Sequence, residues 1–166
     1  FWINQDDRDV VKYLKYFTFL SREEIEDLAE KTEKEPWKRA AQKKLAEEVT
    51  KFVHGEAGLK EAQMITDALF SGDIKNLSVT QIEQGLKNAP SAEVANETKN
   101  IVDFLVDTKI EPSKRQARED VKNGAIYVNG DREQSLDFEV DPASAFDGKY
   151  VIIRKGKRKY TLVKVK

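Results

Sequence analysis

The sequence has no cysteine, a single histidine and a single methionine. Without cysteine there are no disulfides, thiolate zinc sites or iron–sulfur clusters, a usage that fits the cytosol. The lone His54 falls where a helix is expected to end, so we read it as a local cap or packing group rather than a proton shuttle. No Cys/His cluster offers a metal site, and the acids sit among lysines as solvated helix faces. No Gly-rich phosphate loop is present, nor a nucleophile with a base at readable spacing, so the chain is not expected to catalyse a reaction alone. No uninterrupted apolar run is long enough to span a membrane as a helix. The start, "FWINQDDRDVV", lacks the charged leader and apolar core of a secretory signal. It also lacks a starting Met, which suggests a piece of a longer chain.

What the sequence does hold is charge. Its 166 residues are 39% hydrophobic and 36% charged, enough for a modest core beneath a heavily solvated surface. The net charge of −1 conceals a division: residues 98–166 hold 15 Lys/Arg and 11 Asp/Glu, giving +4, which leaves −5 for residues 1–97. This polarity suggests two domains, with a polyanionic partner engaged mainly by the second.

The first half reads as helices. In "DDRDVVKYLKYFTFL", Val10, Leu14 and Phe17 recur at helical spacing behind acids suited to a helix start. Ser21 and Glu24 stand in capping-box register. In "EPWKRAAQKKLAEEVTKFVHG", Pro36 lies near a first turn, Gly55 lies past the last, and Ala41, Leu45, Val49, Phe52 and Val53 form an apolar stripe. "KEAQMITDALFSGD" forms a further helix ended by Ser71-Gly72. Thr80 and Glu83 offer a second capping box. Residues 1–87 are therefore expected as an all-helical domain. Residues 88–99, small and polar with one proline, are expected as a flexible linker.

Residues 100–166 change period. After the helix "NIVDFLVDTK" comes "SKRQAREDVKNG", which Ser113 can cap and Gly124 can end. At 100° per residue, Lys114, Arg118, Lys122 and Arg115 fall at about 0°, 40°, 80° and 100°, one quarter of the circumference, with Ala117 and Val121 on an adjoining stripe. "AIYVNG" ends in a hairpin turn signal, and "FDGKYVIIRKGKRKYTLVKV" reads as two strands about Gly156. Between Arg154 and Lys159 stand five cations: Arg154, Lys155, Lys157, Arg158 and Lys159. Two basic clusters suit phosphate contacts; the alternatives are a solvated helix face and an edge strand guarded by lysines. Tyr127, outward if Ile126 and Val128 point inward, can stack on a base or cover the sheet. The expected fold class is α+β: a helical domain, then a helix pair packed on a short, mostly antiparallel sheet.

"SKRQAREDVKNGAIYVNG" followed by "GKYVIIRKGKRKYTLVKV" resembles the RNA-binding fold named after small-subunit ribosomal protein four. "FWINQDDRDVVKYLKYFTFLSREEIE", "RAAQKKLAEEVTKFVHG" and "ALFSGDIKNLS" are similar to the helical anticodon-binding domain of bacterial tyrosyl-tRNA synthetases. Domain order agrees as well, so the resemblance covers essentially the whole chain. It implies the C-terminal, tRNA-binding portion of a class I ligase that joins tyrosine to its tRNA using ATP. Both ATP-binding signatures of that class and the dimer-forming catalytic region are absent from these residues. The resemblance thus implies tyrosine tRNA as partner, no cofactor or metal in this portion (ATP and tyrosine belonging to the catalytic region), a monomeric fragment of a homodimeric parent, and a cytoplasmic location.

At positions matching the family, the cations implicated in tRNA contact are Arg115, Arg118, Arg154, Lys155, Lys157 and Arg158. Lys114, Lys122 and Lys159 join them on the helical-face and clustering arguments. The acid expected to read the first anticodon base is Asp6, with Asp7 beside it. The rival readings are an RNA-binding module of another RNA enzyme or ribosome-associated factor, and a protein–protein adaptor whose basic tail is solubilising charge.

Overall fold

The computed structural model describes residues 1–157 and 159–166. It divides into two compact units, Phe1–Gln63 and Met64–Lys166.

In the first unit, Asp6 caps α1 (Asp7–Phe17) by accepting from the Arg8 amide. Ser21 and Glu24 form the expected reciprocal capping box at the start of α2 (Arg22–Lys34). Pro36 heads a separate 3-10 turn, Pro36–Lys38, before Arg39 enters the left-handed region at φ 51° and α3 (Ala40–Ser71) begins. Val10, Leu14, Ile25, Ala41, Leu45 and Val49 interlock as the core. Each large aliphatic side chain among them contributes about 1.5–3 kcal/mol by leaving water. The apolar stripe ends earlier than the spacing predicts: Phe52 and Val53 are exposed, and the Phe52 ring lies 5.6 Å from the likewise exposed ring of Phe19. Gly55 has the positive φ (71°) of a helix-ending glycine, yet helical backbone resumes directly after it.

In the second unit the remainder of α3 is followed by α4 (Val79–Gly85), whose capping box is Ser78/Gln81. The box lies two residues before the expected Thr80/Glu83 because Ser78 is the last residue with extended backbone, while Thr80 is already helical. Residues 88–99, expected as a linker, contain β1 (Ser91–Val94), which pairs in parallel with β7 (Lys159–Val165). The intervening elements are β2 (Lys99–Asn100), α5 (Ile101–Asp107), α6 (Lys114–Lys122), β3 (Ile126–Val128), β4 (Asp131–Glu133), β5 (Glu139–Val140) and β6 (Tyr150–Lys155). Five strands form one sheet in the order β1-β7-β6-β3-β4, antiparallel except for β1, and β2 and β5 form a small second sheet. Asn129 and Gly130 both have positive φ, 50° and 97°, as the two-residue hairpin turn between β3 and β4 requires.

Both faces of the larger sheet are covered. On one, α5 and α6 pack Phe104, Leu105, Ala117 and Val121 against Ile126, Val151, Ile153 and Val163. On the other, Ile65, Ile74, Leu77, Ile82 and Leu86 pack against Ile152 and Leu162. Residues 64–87, expected with the helical half, therefore form the second layer of the sheet unit. Strand β6 is buried on both faces, with Val151, Ile152 and Ile153 all at 1% exposure or less.

Candidate RNA-binding surface

The Ser113 hydroxyl accepts from the Gln116 amide and starts α6 where expected. Ala117 and Val121 are fully buried and turn the core stripe of the helix inward, and Lys114, Arg115, Arg118 and Lys122 are all exposed. Lys114 is held by Asp103 of α5 at 2.6 Å. That hydrogen bond draws the Asp103 carboxyl below its ordinary range. The side chains of Arg115, Arg118 and Lys122 make no hydrogen bond or ion pair among the described residues. Three basic groups therefore stand exposed on one face, with Asp103 of α5 near enough to Arg118 to feel its charge.

The end of α6 is tied to the sheet by residues that the spacing of cations did not single out. Gly124 takes the left-handed conformation, φ 64°. On β4, Arg132 donates to the carbonyls of Gly124 (2.8 Å) and Asn123 (3.3 Å), and Gln134, just beyond it, donates to that of Lys122 (3.2 Å). Carbonyls at a helix C-terminus lack intrahelical donors, and a cation there also meets the negative end of the helix dipole. The hairpin is anchored at the same place: the Gly156 amide donates to Ala125 O at 2.8 Å. The basic helix and the β6–β7 turn thus form adjoining parts of one surface.

The five hairpin cations divide sharply. Lys157 and Lys159 are exposed. Arg158 lies outside the described residues. Arg154 sits on the face of the sheet opposite α6, with its guanidinium 3.8 Å from the centre of the Tyr127 ring and 6.0 Å from that of Tyr160. Tyr127, opposite Arg154 in the strand register, is half-buried, and that ring face is taken by the cation rather than open to a base. Lys155 points the other way, into the α6 layer, where Nζ lies 2.7 Å from Glu111 and 2.7 Å from Asp120. Glu111 is 1% exposed. Burial raises its carboxyl, helped by the neighbouring Asp120 and opposed by Lys155. Burial also pushes up the Asp120 carboxyl, but hydrogen bonds from Lys155, Glu111 and Gln116 outweigh it and leave that group lowered. For Lys155, burial favours the neutral amine, yet the two acids win and hold the ammonium charged. The opposite directions of Arg154 and Lys155 were readable from the sequence, since strand residues alternate faces and Lys155 continues the Val151/Ile153 series.

In the first unit, both carboxylate oxygens of Asp6 are engaged by the Arg8 side chain, at 2.9 and 3.1 Å. With the Arg8 amide bond, this lowers the Asp6 carboxyl to about 2. Asp7 accepts from Gln42, which is fully buried. Both aspartates remain exposed at the start of α1. His54 is exposed beside the Gly55 break. Among the described residues no group of His, Cys, Asp or Glu is placed to hold a metal ion, and no helix is long and apolar enough to cross a membrane.

Comparison with known proteins bears on both halves. A family model described as "tRNA synthetases class I (W and Y)" matches residues 1–71. The "Tyrosine--tRNA ligase" of Lactobacillus acidophilus is 94% identical over 166 residues, covering 100% of this chain and 40% of that protein. "Tyrosine--tRNA ligase 1" of Enterococcus faecalis is 66% identical over 165 residues, again covering 40% of its length. The chain thus spans about two fifths of the length of these curated relatives. The solution structure of a tyrosyl-tRNA synthetase C-terminal domain is 46% identical, covering 58% of this chain and 98% of that one at a TM-score of 0.48. A second family model, described as "Tyrosine--tRNA ligase SYY-like C-terminal domain", matches residues 81–163, half of the sequence. On that match the chain belongs to the tyrosine--tRNA ligase SYY-like C-terminal domain family.

Proposed function

We propose that this chain is the tRNA-holding portion of a tyrosine–tRNA ligase, working in the cytoplasm, and that it delivers tyrosine tRNA to a catalytic region that attaches tyrosine using ATP. The supporting observation is the exposed arc of Arg115, Arg118 and Lys122, without a hydrogen bond or ion pair among the described residues, continued by Lys157 and Lys159 on the hairpin that begins beside the end of α6. Exposed, unneutralised cations on a rigid surface suit a phosphate backbone, whose own counterions are released on contact. Arg158 joins this set on the family resemblance. Asp6 and Asp7 are proposed to read an anticodon base: a carboxylate accepts hydrogen bonds from a guanine edge, and that of Asp6, lowered to about 2, is ionised throughout the physiological range. The fragment is proposed to be monomeric, with dimerisation supplied by the catalytic region.

A titration of this chain with tyrosine tRNA and with an unrelated tRNA, repeated across salt concentrations, tests the proposal. Each phosphate contact steepens the fall of log affinity with log salt by about 0.7–0.9, so the total slope should be roughly −3 to −5. Arg115→Ala and Arg118→Ala should each flatten it by about one contact. Failure to bind either tRNA, with the fold intact, would favour the adaptor reading.

A further inference from the structure

Resting on that reading, we infer that Lys155 is a positioning residue that aims the basic arc of α6 outward, not a phosphate ligand, although the family resemblance places it among the contact residues.

Three segments meet at its ammonium. Lys155 ends β6, Glu111 lies in the loop between α5 and α6, and Asp120 lies on α6 itself. The Glu111 side chain is wholly enclosed and that of Asp120 is 14% exposed, so the pair is shielded from salt in a way that surface ion pairs are not. Two carboxylates facing one ammonium leave the cluster with no positive charge to offer a phosphate. Removing Lys155 from the cluster to meet RNA would strand two enclosed acids, which is more costly than leaving a surface lysine in water.

The placement of Asp120 on the helix gives the tie its direction. Measured from Lys114 at 100° per residue, the arc Lys114–Arg118–Lys122–Arg115 centres near 50°, while Asp120 falls near 240°. It is therefore almost diametrically opposite the arc. Pinning that point to the end of β6 fixes the rotation of α6 about its axis and turns Arg118 and Lys122, two residues to either side, toward solvent. Ala117 and Val121 alone define a short apolar stripe, too small to resist rocking of a nine-residue helix that carries four like charges on one side.

The test compares Lys155→Met with Glu111→Gln/Lys155→Met in the full 166-residue chain, following tRNA affinity against salt together with amide hydrogen exchange of α6. For a positioning residue, Lys155→Met lowers tRNA affinity by about tenfold while leaving the salt slope unchanged, because no phosphate contact is lost. Exchange in α6 accelerates at the same time. The double variant, with an amide partner for Asp120 and one enclosed acid without a counter-ion instead of two, recovers part of both losses. Should Lys155→Met fail to fold, the double variant against wild type carries the same comparison of slopes. The inference is overturned if either variant flattens the slope by about 0.7–0.9, as is expected of Arg118→Ala, or if α6 exchange is unaltered in Lys155→Met. If the wild-type chain binds no tRNA, the function proposed above fails, and the exchange measurement still decides whether Lys155 holds the helix.

Discussion

Replacing Gly124 by alanine tests how the basic helix is joined to its sheet. The backbone there is left-handed at φ 64°, and a Cβ added at that position would overlap the Arg132 guanidinium. Adopting this conformation costs an L-residue about 1–2 kcal/mol relative to glycine. The overlap itself is relieved cheaply, since the offending group is the far end of a flexible side chain, but relief removes the bonds from Arg132 to the Gly124 and Asn123 carbonyls. One of these is half-buried and one exposed, so their joint loss adds about 1–2 kcal/mol, for a total of about 2–4 kcal/mol. Arg132→Ala alone should cost only the hydrogen-bond part, about 1–2 kcal/mol. The double variant should cost no more than Gly124→Ala, because the second change removes bonds already lost, leaving a coupling of about 1–2 kcal/mol. Urea denaturation is the assay, but tryptophan fluorescence would report the wrong unit, since Trp2 and Trp37 both lie within Phe1–Gln63. Amide signals of β3 and β6 read the sheet unit directly. Additive costs in the double variant, or a Gly124→Ala chain within 0.5 kcal/mol of wild type, would refute the account, that margin being the ordinary scatter of surface substitutions, about 0.5 kcal/mol.

Two further outcomes are expected. Asparagine caps a helix as well as aspartate, so Asp6→Asn should leave thermal stability unchanged while reducing the preference for tyrosine tRNA over an unrelated one; undiminished preference would confine Asp6 to capping. Glu111 has a raised folded-state value against an ordinary value of 4.5, so the folded chain holds this proton more tightly than the unfolded chain. The stability it contributes is present below pH 4.5 and is lost as pH rises through the folded value. Glu111→Gln cannot titrate and should therefore gain on wild type as pH rises from 4.5, with denaturation curves that stay parallel across pH arguing against a raised carboxyl.

Local rules carried far in this sequence. The Ser21/Glu24 box, the Ser113 cap, Gly124, the Asn129-Gly130 turn and the strands flanking Gly156 all rest on interactions within a few residues, and all stand where spacing placed them. Positions set by distant partners were not legible. Residues 91–94 read as a polar connection because two of the four strand residues face solvent, and only the parallel neighbour β7, some 70 residues away, makes them a strand. Phe52 and Val53 fit the helical period but have no facing core. Within the candidate surface, counting cations found the exposed arc of α6 but could not tell Lys155 from Lys157. The distinction depends on Glu111, which looks like any solvated acid until the α5–α6 loop folds it inward.

The double cover of β6 has a practical consequence for anyone dissecting this protein. The polar stretch at 88–99 is an inviting place to cut, and residues 100–166 hold the entire basic surface. Such a fragment would lack β1, making β7 an open edge, and would bare Ile152 and Leu162 on a face normally sheltered by Ile65, Ile74, Leu77, Ile82 and Leu86. A free strand edge beside an apolar sheet face is a template for intermolecular strand addition. Precipitation of that piece would report the missing layer, not a weakness of the remaining helix pair and sheet, and the shorter fragment worth making begins no later than Met64.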